Sequence, residues 1–272
     1  MLGKLIKHEF KATARLIPIM MGASLLLFGL FELSHALKLS GLVATAYILL
    51  ILALAGMLLI AFIVAFMRYY KSMVTNEAHL SFTLPVKPGE LYFSRLIVSA
   101  AWALLSFILF VVLLLFSVAT MLNMSVGDMF SSMRGSIEGL GAANIFTTSF
   151  WVTAVILVLY SGFSLLVSGY FCLTVSAIRP FERMRLGAAA LCALALYLAN
   201  EIIGGVLVFF LPLGITVDQN GWAFATQSMY SGIHAAGNTQ VIGIGSIIYG
   251  IVMCVVLLFL TVRLTRTRLN VR

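Results

Sequence analysis

Residues 68–95, with the sequence RYYKSMVTNEAHLSFTLPVKPGELYFSR, separate two hydrophobic runs at 42–67 and 96–122. Each run is long enough to cross a hydrocarbon core of roughly 30 Å as a helix. The segment begins with basic and aromatic residues of the kind found at a membrane surface. Within it, the stretch NEAHLSF is long enough for a helix of about two turns, which Pro85 and Pro88 then end. We therefore expect a short helix in a loop outside the bilayer.

The apolar side chains of this short helix are Leu80, Phe82 and Leu84. They are too few to form a hydrophobic core of their own, so they need a partner surface, either lipid headgroups or another protein. A solvated turn that contacts nothing is the alternative interpretation.

The composition indicates a multi-pass membrane protein. Of the 272 residues, 62% are hydrophobic and 10% are charged, whereas soluble domains contain about 25% charged residues. The net charge is +8, but the basic residues flank hydrophobic runs, which is typical of topology signals and contacts with anionic lipid. We therefore expect no nucleic-acid partner.

Several hydrophobic runs are long enough to span a membrane, and this pattern predicts an all-α integral membrane protein with six transmembrane helices. The runs lie at 16–34, 42–67, 96–122, 149–174, 187–211 and 241–262. With this assignment, fifteen of the seventeen Lys and Arg residues fall on one side of the membrane, and Lys38 and Arg134 fall on the other. The positive-inside rule then places both termini in the cytoplasm.

Residues 1–15 are predicted to form an amphipathic helix that lies on the membrane surface. The apolar face consists of Leu2, Leu5, Ile6 and Phe10, and the basic face of Lys4, Lys7, Lys11 and Arg15. The alternative is the basic region of a signal peptide. Glu9 within the basic stretch, and the lack of a small-residue cleavage site before Glu32, disfavour that alternative.

The two longer loops on the other side, 123–148 and 212–240, are each too short for a soluble domain. Residues 212–240 contain Trp222, Phe224 and Tyr230 but no Lys or Arg, so we expect an external segment that is re-entrant or lies in the interface. No repeat or linker is visible, so residues 1–272 are predicted to form a single transmembrane domain.

The segment from Arg68 to Arg95 resembles the first intracellular loop of ABC exporter permeases of the bacterial multidrug and bacteriocin-export type. The likeness rests on an acidic residue before a short apolar segment, then FTLPV, a basic residue and a new span. It extends to the N-terminal segment and the six-span plan. The resemblance implies that residues 68–95 form a cytoplasmic coupling loop whose helix docks on a separate ABC ATPase.

The resemblance also implies which residues contact the ATPase and what else assembles with the chain. The coupling residues would be Glu77, Leu80, Phe82, Leu84 and Pro85, with a smaller contact at Arg179 and Arg183. For the two arginines, anchoring to lipid is the alternative. The family further implies a second permease, identical or related, short external helices before the last span, and a location in a bacterial plasma membrane.

The chain contains no Gly-x-x-x-x-Gly-Lys-Ser/Thr phosphate loop and no His-Glu-x-x-His zinc motif. We therefore expect no enzymatic activity, no metal site and no cofactor in this chain. ATP and Mg²⁺ would be bound by the partner ATPase. The cysteines lie in hydrophobic runs and form no disulfide or metal-binding pattern.

Glu201 is the acidic residue that lies deepest in a predicted span. On a helix, Tyr197, Glu201, Gly204 and Gly205 fall on one face, and Asn200 precedes Glu201. We hypothesise that these five residues line a substrate pathway or the seam between two permeases. The alternative is a structural glutamate that is protonated or hydrogen-bonded to a neighbouring span.

The sequence thus favours the permease subunit of an ATP-driven exporter for an amphipathic or hydrophobic compound, such as a peptide antibiotic or a drug. Two alternatives belong to other classes. One is an ion- or proton-coupled secondary transporter that uses Glu201, and the other is a membrane scaffold or sensor subunit that transports nothing.

Overall fold

The computed structural model of the chain describes residues 2–73, 88–139, 148–178, 184, 186–218, 221–234 and 241–267. The chain divides into two compact units, Met1–Met133 and Arg134–Arg272. Each unit contains three of the six described helices that are long and apolar enough to cross a membrane. The prediction of six membrane-length apolar helices is confirmed, and the protein is a multi-pass membrane protein.

The first unit is a bundle of helices. Its members are α1 (Leu2–Thr13), α2 (Leu16–Ala36), α3 (Ser40–Met73), α4 (Pro88–Met121) and the beginning of α5 (Val126–Gly139). Helices α2, α3 and α4 pack against one another, and α1 packs on α4.

The core of the first unit is built on one face of α3. Leu50, Leu54 and Met57 recur at helical spacing and are fully buried, together with Phe31 of α2. Trp102 of α4 completes the same cluster. A continuous stripe of large side chains therefore joins the three long helices of this unit.

Helices α3 and α4 are much longer than a bilayer requires. Each has 34 residues, which corresponds to about 51 Å, whereas α2 has 21 residues, or about 32 Å. Even at a tilt of about 40°, α3 and α4 would extend beyond a hydrocarbon core of roughly 30 Å. The predicted loop at 68–95 is therefore helical at both ends, up to Met73 and again from Pro88. Proline suits the first position of a helix, where its missing N–H is not needed.

Helix α5 was not predicted from the sequence. Its first turn is capped by Ser125, whose Oγ accepts a hydrogen bond from the backbone N–H of Asp128 at 3.1 Å and donates one to Asp128 Oδ2 at 2.7 Å. The available signal was the spacing Ser-x-x-Asp, which is typical of a capping box.

The second unit combines helices with a small sheet. Its elements are α6 (Thr148–Ser176), α7 (Leu186–Phe210), β1 (Gly214–Asp218), β2 (Gly221–Ala225), α8 (Met229–His234), β3 (Val241–Gly243) and α9 (Gly245–Thr267). Helices α6, α7 and α9 pack pairwise. The strands form an antiparallel sheet in the order β2-β1-β3, with Ile215 opposite both Phe224 and Ile242.

The sheet differs from the all-helical expectation for residues 212–240. The stretches GITVD and GWAFA are rich in β-branched and aromatic residues, and Asn220-Gly221 between them is a strong hairpin signal. The aromatic residues also fit membrane-interface anchors, as the sequence-based prediction interpreted them, and the strands were not predicted.

Two glycines hold the sheet and the start of α9 close to the end of α7. A Cβ atom at Gly243 would overlap the carbonyl oxygen of Val208, and one at Gly245 would overlap the carbonyl oxygen of Leu207. Because these neighbours are backbone atoms, they cannot move aside as a side chain would. Glycine is therefore the residue that allows this approach.

Candidate functional site

A junction formed by Glu9, Arg68 and Arg95 joins three helices of the first unit through one carboxylate. Arg68 Nε on α3 donates to Glu9 Oε2 at 2.6 Å, and Arg95 Nε on α4 donates to Glu9 Oε1 at 3.4 Å. Arg95 has 5% of its side chain exposed and Glu9 has 16%, so these charges are largely removed from solvent. Charge-assisted hydrogen bonds of this kind are stronger than neutral ones. Glu9 of α1 thereby holds both α3 and α4.

A second contact fixes α1 one turn further along. Trp102 Nε1 donates to Thr13 Oγ1 at 2.8 Å, and the indole ring stacks on Phe10 with 4.6 Å between ring centroids. The Thr13 hydroxyl also lies within hydrogen-bonding distance of the backbone oxygen of Glu9, at 3.0 Å. Helix α1 is therefore attached by both charged and aromatic contacts.

The ends of α3 and α4 also contact each other directly. The rings of Tyr69 and Tyr92 are fully buried and meet edge to face, with 6.2 Å between centroids. These residues lie four positions before the end of α3 and four after the start of α4. The two helices that flank residues 74–87 are thus fixed to each other as well as to α1.

The exposed side of α1 is basic. Lys4, Lys7, Lys11 and Arg15 are exposed, whereas Leu2, Leu5 and Ile6 are half-buried. Phe10, the fourth residue of the predicted apolar face, is 43% exposed, and the amphipathic role of α1 stays a prediction. The position of α1 at a membrane surface, and the cytoplasmic location of the termini, stay predictions.

The predicted ATPase-coupling residues lie outside the described part of the chain. They are Glu77, Leu80, Phe82, Leu84, Pro85, Arg179 and Arg183. Their roles stay predictions. The structure describes the two helices that flank the first five of these residues, one ending at Met73 and one beginning at Pro88.

The predicted polar face of α7 is divided in two. Tyr197, Asn200 and Glu201 are exposed, and Tyr197 shows 60% of its surface. Gly204 is buried and faces Ser246 of α9, since a Cβ placed on it would lie 3.8 Å from the Ser246 Cβ. Gly205 has open space around it. The structure therefore groups the first three residues on one surface and assigns Gly204 to packing within the second unit.

The carboxylate of Glu201 is exposed in the middle of an apolar helix. It makes no hydrogen bond or ion pair with any described residue. It follows Leu186 by 15 residues and precedes Phe210 by 9, or about 22 Å and 14 Å along the helix. In the described ranges, no group of three or more His, Cys, Asp or Glu residues is arranged to hold a metal ion.

Sequence reasoning missed the junction at Glu9. Glu9 was used there as an argument against a signal peptide, and Arg68 and Arg95 were counted as topology signals. The available signal was that the acidic residue of the basic N-terminal helix and two arginines flanking the next long loop are predicted on the same side of the membrane.

Comparisons with protein-family models, curated proteins and solved structures give no match to this chain. The function is therefore argued from the geometry and the sequence pattern.

Proposed function

We propose that the chain is the transmembrane permease subunit of an ABC transporter that exports an amphipathic or hydrophobic compound, such as a peptide antibiotic or a drug. ATP would be hydrolysed by a separate subunit that docks on residues 74–87. The observation that carries this proposal is the junction at Glu9, which ties α1 to the two helices that enter and leave this loop.

The lengths of α3 and α4 support a mechanical role. A force applied to residues 74–87 acts on two continuous helices of about 51 Å each. The contact between Tyr69 and Tyr92 and the junction at Glu9 make these helices and α1 move together. A displacement caused by ATP binding would then reach the membrane core of the first unit as a rigid-body motion.

The exposed polar surface of α7 supports assembly with a second permease, identical or related. An ionisable side chain at mid-membrane costs on the order of 3 kcal/mol on insertion scales and usually faces another protein segment or a wet cavity. Tyr197, Asn200 and Glu201 would face the second permease or the pathway between the two.

Docking is tested by purifying the full chain in mild detergent and measuring the P-loop ATPase that copurifies. Leu80→Asp and Leu84→Asp place a charge in the proposed contact, where uncompensated burial costs about 1–3 kcal/mol. Bound ATPase should fall at least about fivefold. Ser81→Asp introduces the same charge between them and is the matched control for charge alone. If both leucine variants retain the ATPase and transport fully, the loop is not the docking site.

The proposed orientation is tested with cysteines at Ser40, Ser132, Asn220 and Ser81. The first three should react with an impermeant thiol reagent added to intact cells, and the fourth should not. Labelling at position 81 would contradict a model with both termini and residues 74–87 in the cytoplasm.

The exposure of Glu201 favours a second candidate function, a proton-coupled secondary transporter. This candidate predicts flux in vesicles that contain the chain alone and a pH gradient, and loss of that flux in Glu201→Gln. The ABC proposal predicts no flux without the ATPase. A scaffold or sensor subunit predicts no flux under either condition.

A further inference from the structure

A cleft of about 500 Å³ lies at the end of the first unit opposite α1, where α2 ends, α3 begins and α4 ends. Its polar lining consists of His35, Lys38, Ser40 and Asn123, and its apolar lining of Val43, Ala44 and Met121. A volume of this size accommodates a small-molecule ligand or part of a lipid.

The position of the cleft relative to a bilayer follows from the length of α2. With 21 residues, this helix is about as long as a hydrocarbon core is thick. Lys38 and Ser40, beyond or at the helix ends, therefore lie at the level of lipid headgroups. Val43 and Ala44 lie about one turn further into α3, at the level of the first acyl carbons. The cleft thus changes from polar to apolar along the membrane normal.

The cationic group of the cleft lacks a carboxylate partner. Lys38 is exposed and makes no ion pair with a described residue. Glu32, the nearest acidic residue along α2, accepts a hydrogen bond from Thr120 Oγ1 at 2.8 Å. Asp128, five residues after Asn123 in the chain, accepts one from Ser125 Oγ at 2.7 Å. An anionic group that enters the cleft would therefore meet the ammonium group without displacing an ion pair.

Lys38 and Asn123 each lie at the C-terminal end of a helix in a defined backbone conformation. Both residues have a φ of 53° and follow the end of a helix. The backbone N–H of Lys38 donates to the oxygen of His35, and that of Leu39 to the oxygen of Ser34, which is a Schellman motif. The end of α4 has the same pattern, with Asn123 as the left-handed residue. Lysine is disfavoured in this conformation and glycine is favoured, so Lys38→Gly removes the amine while suiting the backbone.

We propose that this cleft binds an anionic phospholipid from the adjacent leaflet. The lipid phosphate contacts Lys38, with Ser40 and Asn123 as additional hydrogen-bonding groups, and an acyl chain lies along Val43 and Met121. This inference does not depend on the function proposed above, because it concerns the lipid that surrounds the protein.

The test uses the full chain in nanodiscs that contain phosphatidylcholine and a trace of photoactivatable phosphatidylglycerol. After illumination, labelled positions are mapped by tandem mass spectrometry. Labels should appear in residues 35–44, and unlabelled phosphatidylglycerol should compete for them better than added phosphatidylcholine. In Lys38→Gly, labelling of this segment should fall about fivefold, since one basic side chain near a lipid surface contributes about 1 kcal/mol.

Two controls separate charge from backbone and from general lipid contact. Lys38→Gln removes the charge but keeps a side chain on the left-handed backbone, so labelling of residues 35–44 should fall about as far as in Lys38→Gly. Labelling of α1, whose basic residues lie at the opposite end of the unit, should be equal in all variants and gives the reference signal.

Three results would overturn the proposal. The first is equal competition by phosphatidylcholine, which indicates a groove filled by any lipid. The second is unchanged labelling in Lys38→Gly, or labelling in Lys38→Gln equal to that of the unchanged chain. The third is full displacement by soluble glycerol phosphate at a concentration that leaves lipid contacts with α1 unchanged, which indicates a site for a free phosphate compound.

Discussion

The two units of the molecule differ in how much of their long helices is buried within each unit. In the first unit, 22–28% of the most apolar 18-residue stretch of each membrane-length helix is buried, whereas in α6 and α7 of the second unit the values are 11% and 6%. Large side chains such as Phe31, Leu54 and Met57 are fully buried in the first unit. In α9, the third membrane-length helix of the second unit, 17% of the corresponding stretch is buried. The long helices of the second unit thus bury a smaller share of this stretch within their own unit.

The second unit also buries large side chains, such as Leu166 and Tyr170 of α6, and it adds close contacts at small residues. Gly243 and Gly245 approach the backbone of α7, and Gly250 of α9 lies against Tyr160 of α6, whose hydroxyl oxygen would be 3.0 Å from an added Cβ. Close approach of backbones through small residues is the usual basis of helix packing in membranes, where lipid removes the hydrophobic advantage of burial. A Cβ added at Gly22, Gly29 or Gly56 of the first unit would meet nothing within 4 Å. Substitutions of glycine should therefore matter more in the second unit than in the first.

The largest expected effect comes from truncating a core leucine of the first unit. Leu54→Ala leaves a cavity among fully buried side chains and should lower the free energy of unfolding by about 2–5 kcal/mol. Leu52→Ala, on the same helix but 64% exposed, is the matched control. Leu198→Ala of α7, which is 50% exposed, is the corresponding control in the second unit. Both should change the free energy by less than about 0.5 kcal/mol. Unfolding by SDS in mixed micelles, followed by tryptophan fluorescence, measures all three. Equal losses in the three variants would show that burial of Leu54 does not stabilise the first unit.

The next effect concerns the junction at Glu9. Glu9→Gln removes the charge that Arg68 and Arg95 share, and leaving charged groups less well paired costs about 1–3 kcal/mol. We expect α1 to detach more often, so trypsin should cleave at Lys7, Lys11 or Arg15 faster than in the unchanged chain. Salt at about 1 M should have a similar but smaller effect, because Arg68 is 37% exposed to screening ions.

Glu90→Gln is the control for this variant, since Glu90 lies in the first turn of α4 and outside the junction. Equal cleavage rates in the two variants would show that the Glu9 ion pairs do not hold α1.

A glycine pair tests the second unit. Gly243→Ala places a methyl group against the carbonyl oxygen of Val208 and should destabilise the unit by about 1–3 kcal/mol. Gly205→Ala has open space around it and should stabilise α7 by up to about 1 kcal/mol, because alanine is the better helix former. Thermal unfolding in detergent should therefore shift in opposite directions for the two variants. Shifts of the same sign would show that the close approach at Gly243 is not needed.

The smallest effect on stability is expected at Glu201. Because its side chain is exposed and makes no hydrogen bond or ion pair with a described residue, Glu201→Gln and Glu201→Leu should leave the chain folded and, under the proposed function, the ATPase bound. If Glu201 lines the pathway, both variants should lose transport or substrate-stimulated ATP hydrolysis. If its role is a structural hydrogen bond to a partner, Gln should be tolerated and Leu should reduce assembly. Normal transport and stimulation in the Leu variant would exclude a functional part for this residue.

The membrane-length helices were predictable because each leaves a strong local signal. Hydrophobic runs of 19–27 residues and the charges between them are visible without knowledge of any contact. The boundaries were less predictable. The helical extension of α3 to Met73 passes through Arg68 and Lys71, which a hydropathy pattern reads as the end of a span.

The candidate sites were less predictable than the helices, since they depend on contacts between distant parts of the chain. Glu201 was found because one acidic residue in an apolar run is conspicuous. The exposed group consists of Glu201, Tyr197 and Asn200. Gly204 does not belong to it, because the side of α7 that carries Gly204 packs against α9, and the sequence does not show which side packs there. The junction at Glu9 joins residues from three helices, and sequence spacing does not determine such a contact. The small sheet was missed for another reason, because its aromatic residues fit both a strand and a membrane interface.

The junction at Glu9 also has a consequence for the order of events during synthesis. Glu9 and Arg95 are 86 positions apart in the chain. At a translation rate of about 5–20 residues per second, the ribosome needs roughly 4–17 s after making Glu9 before it makes Arg95. During that interval Glu9 has been synthesised, but Arg95, its partner on α4, has not. Glu9 can therefore pair with Arg68 of α3 first, and the junction is complete only after the start of α4 has been made.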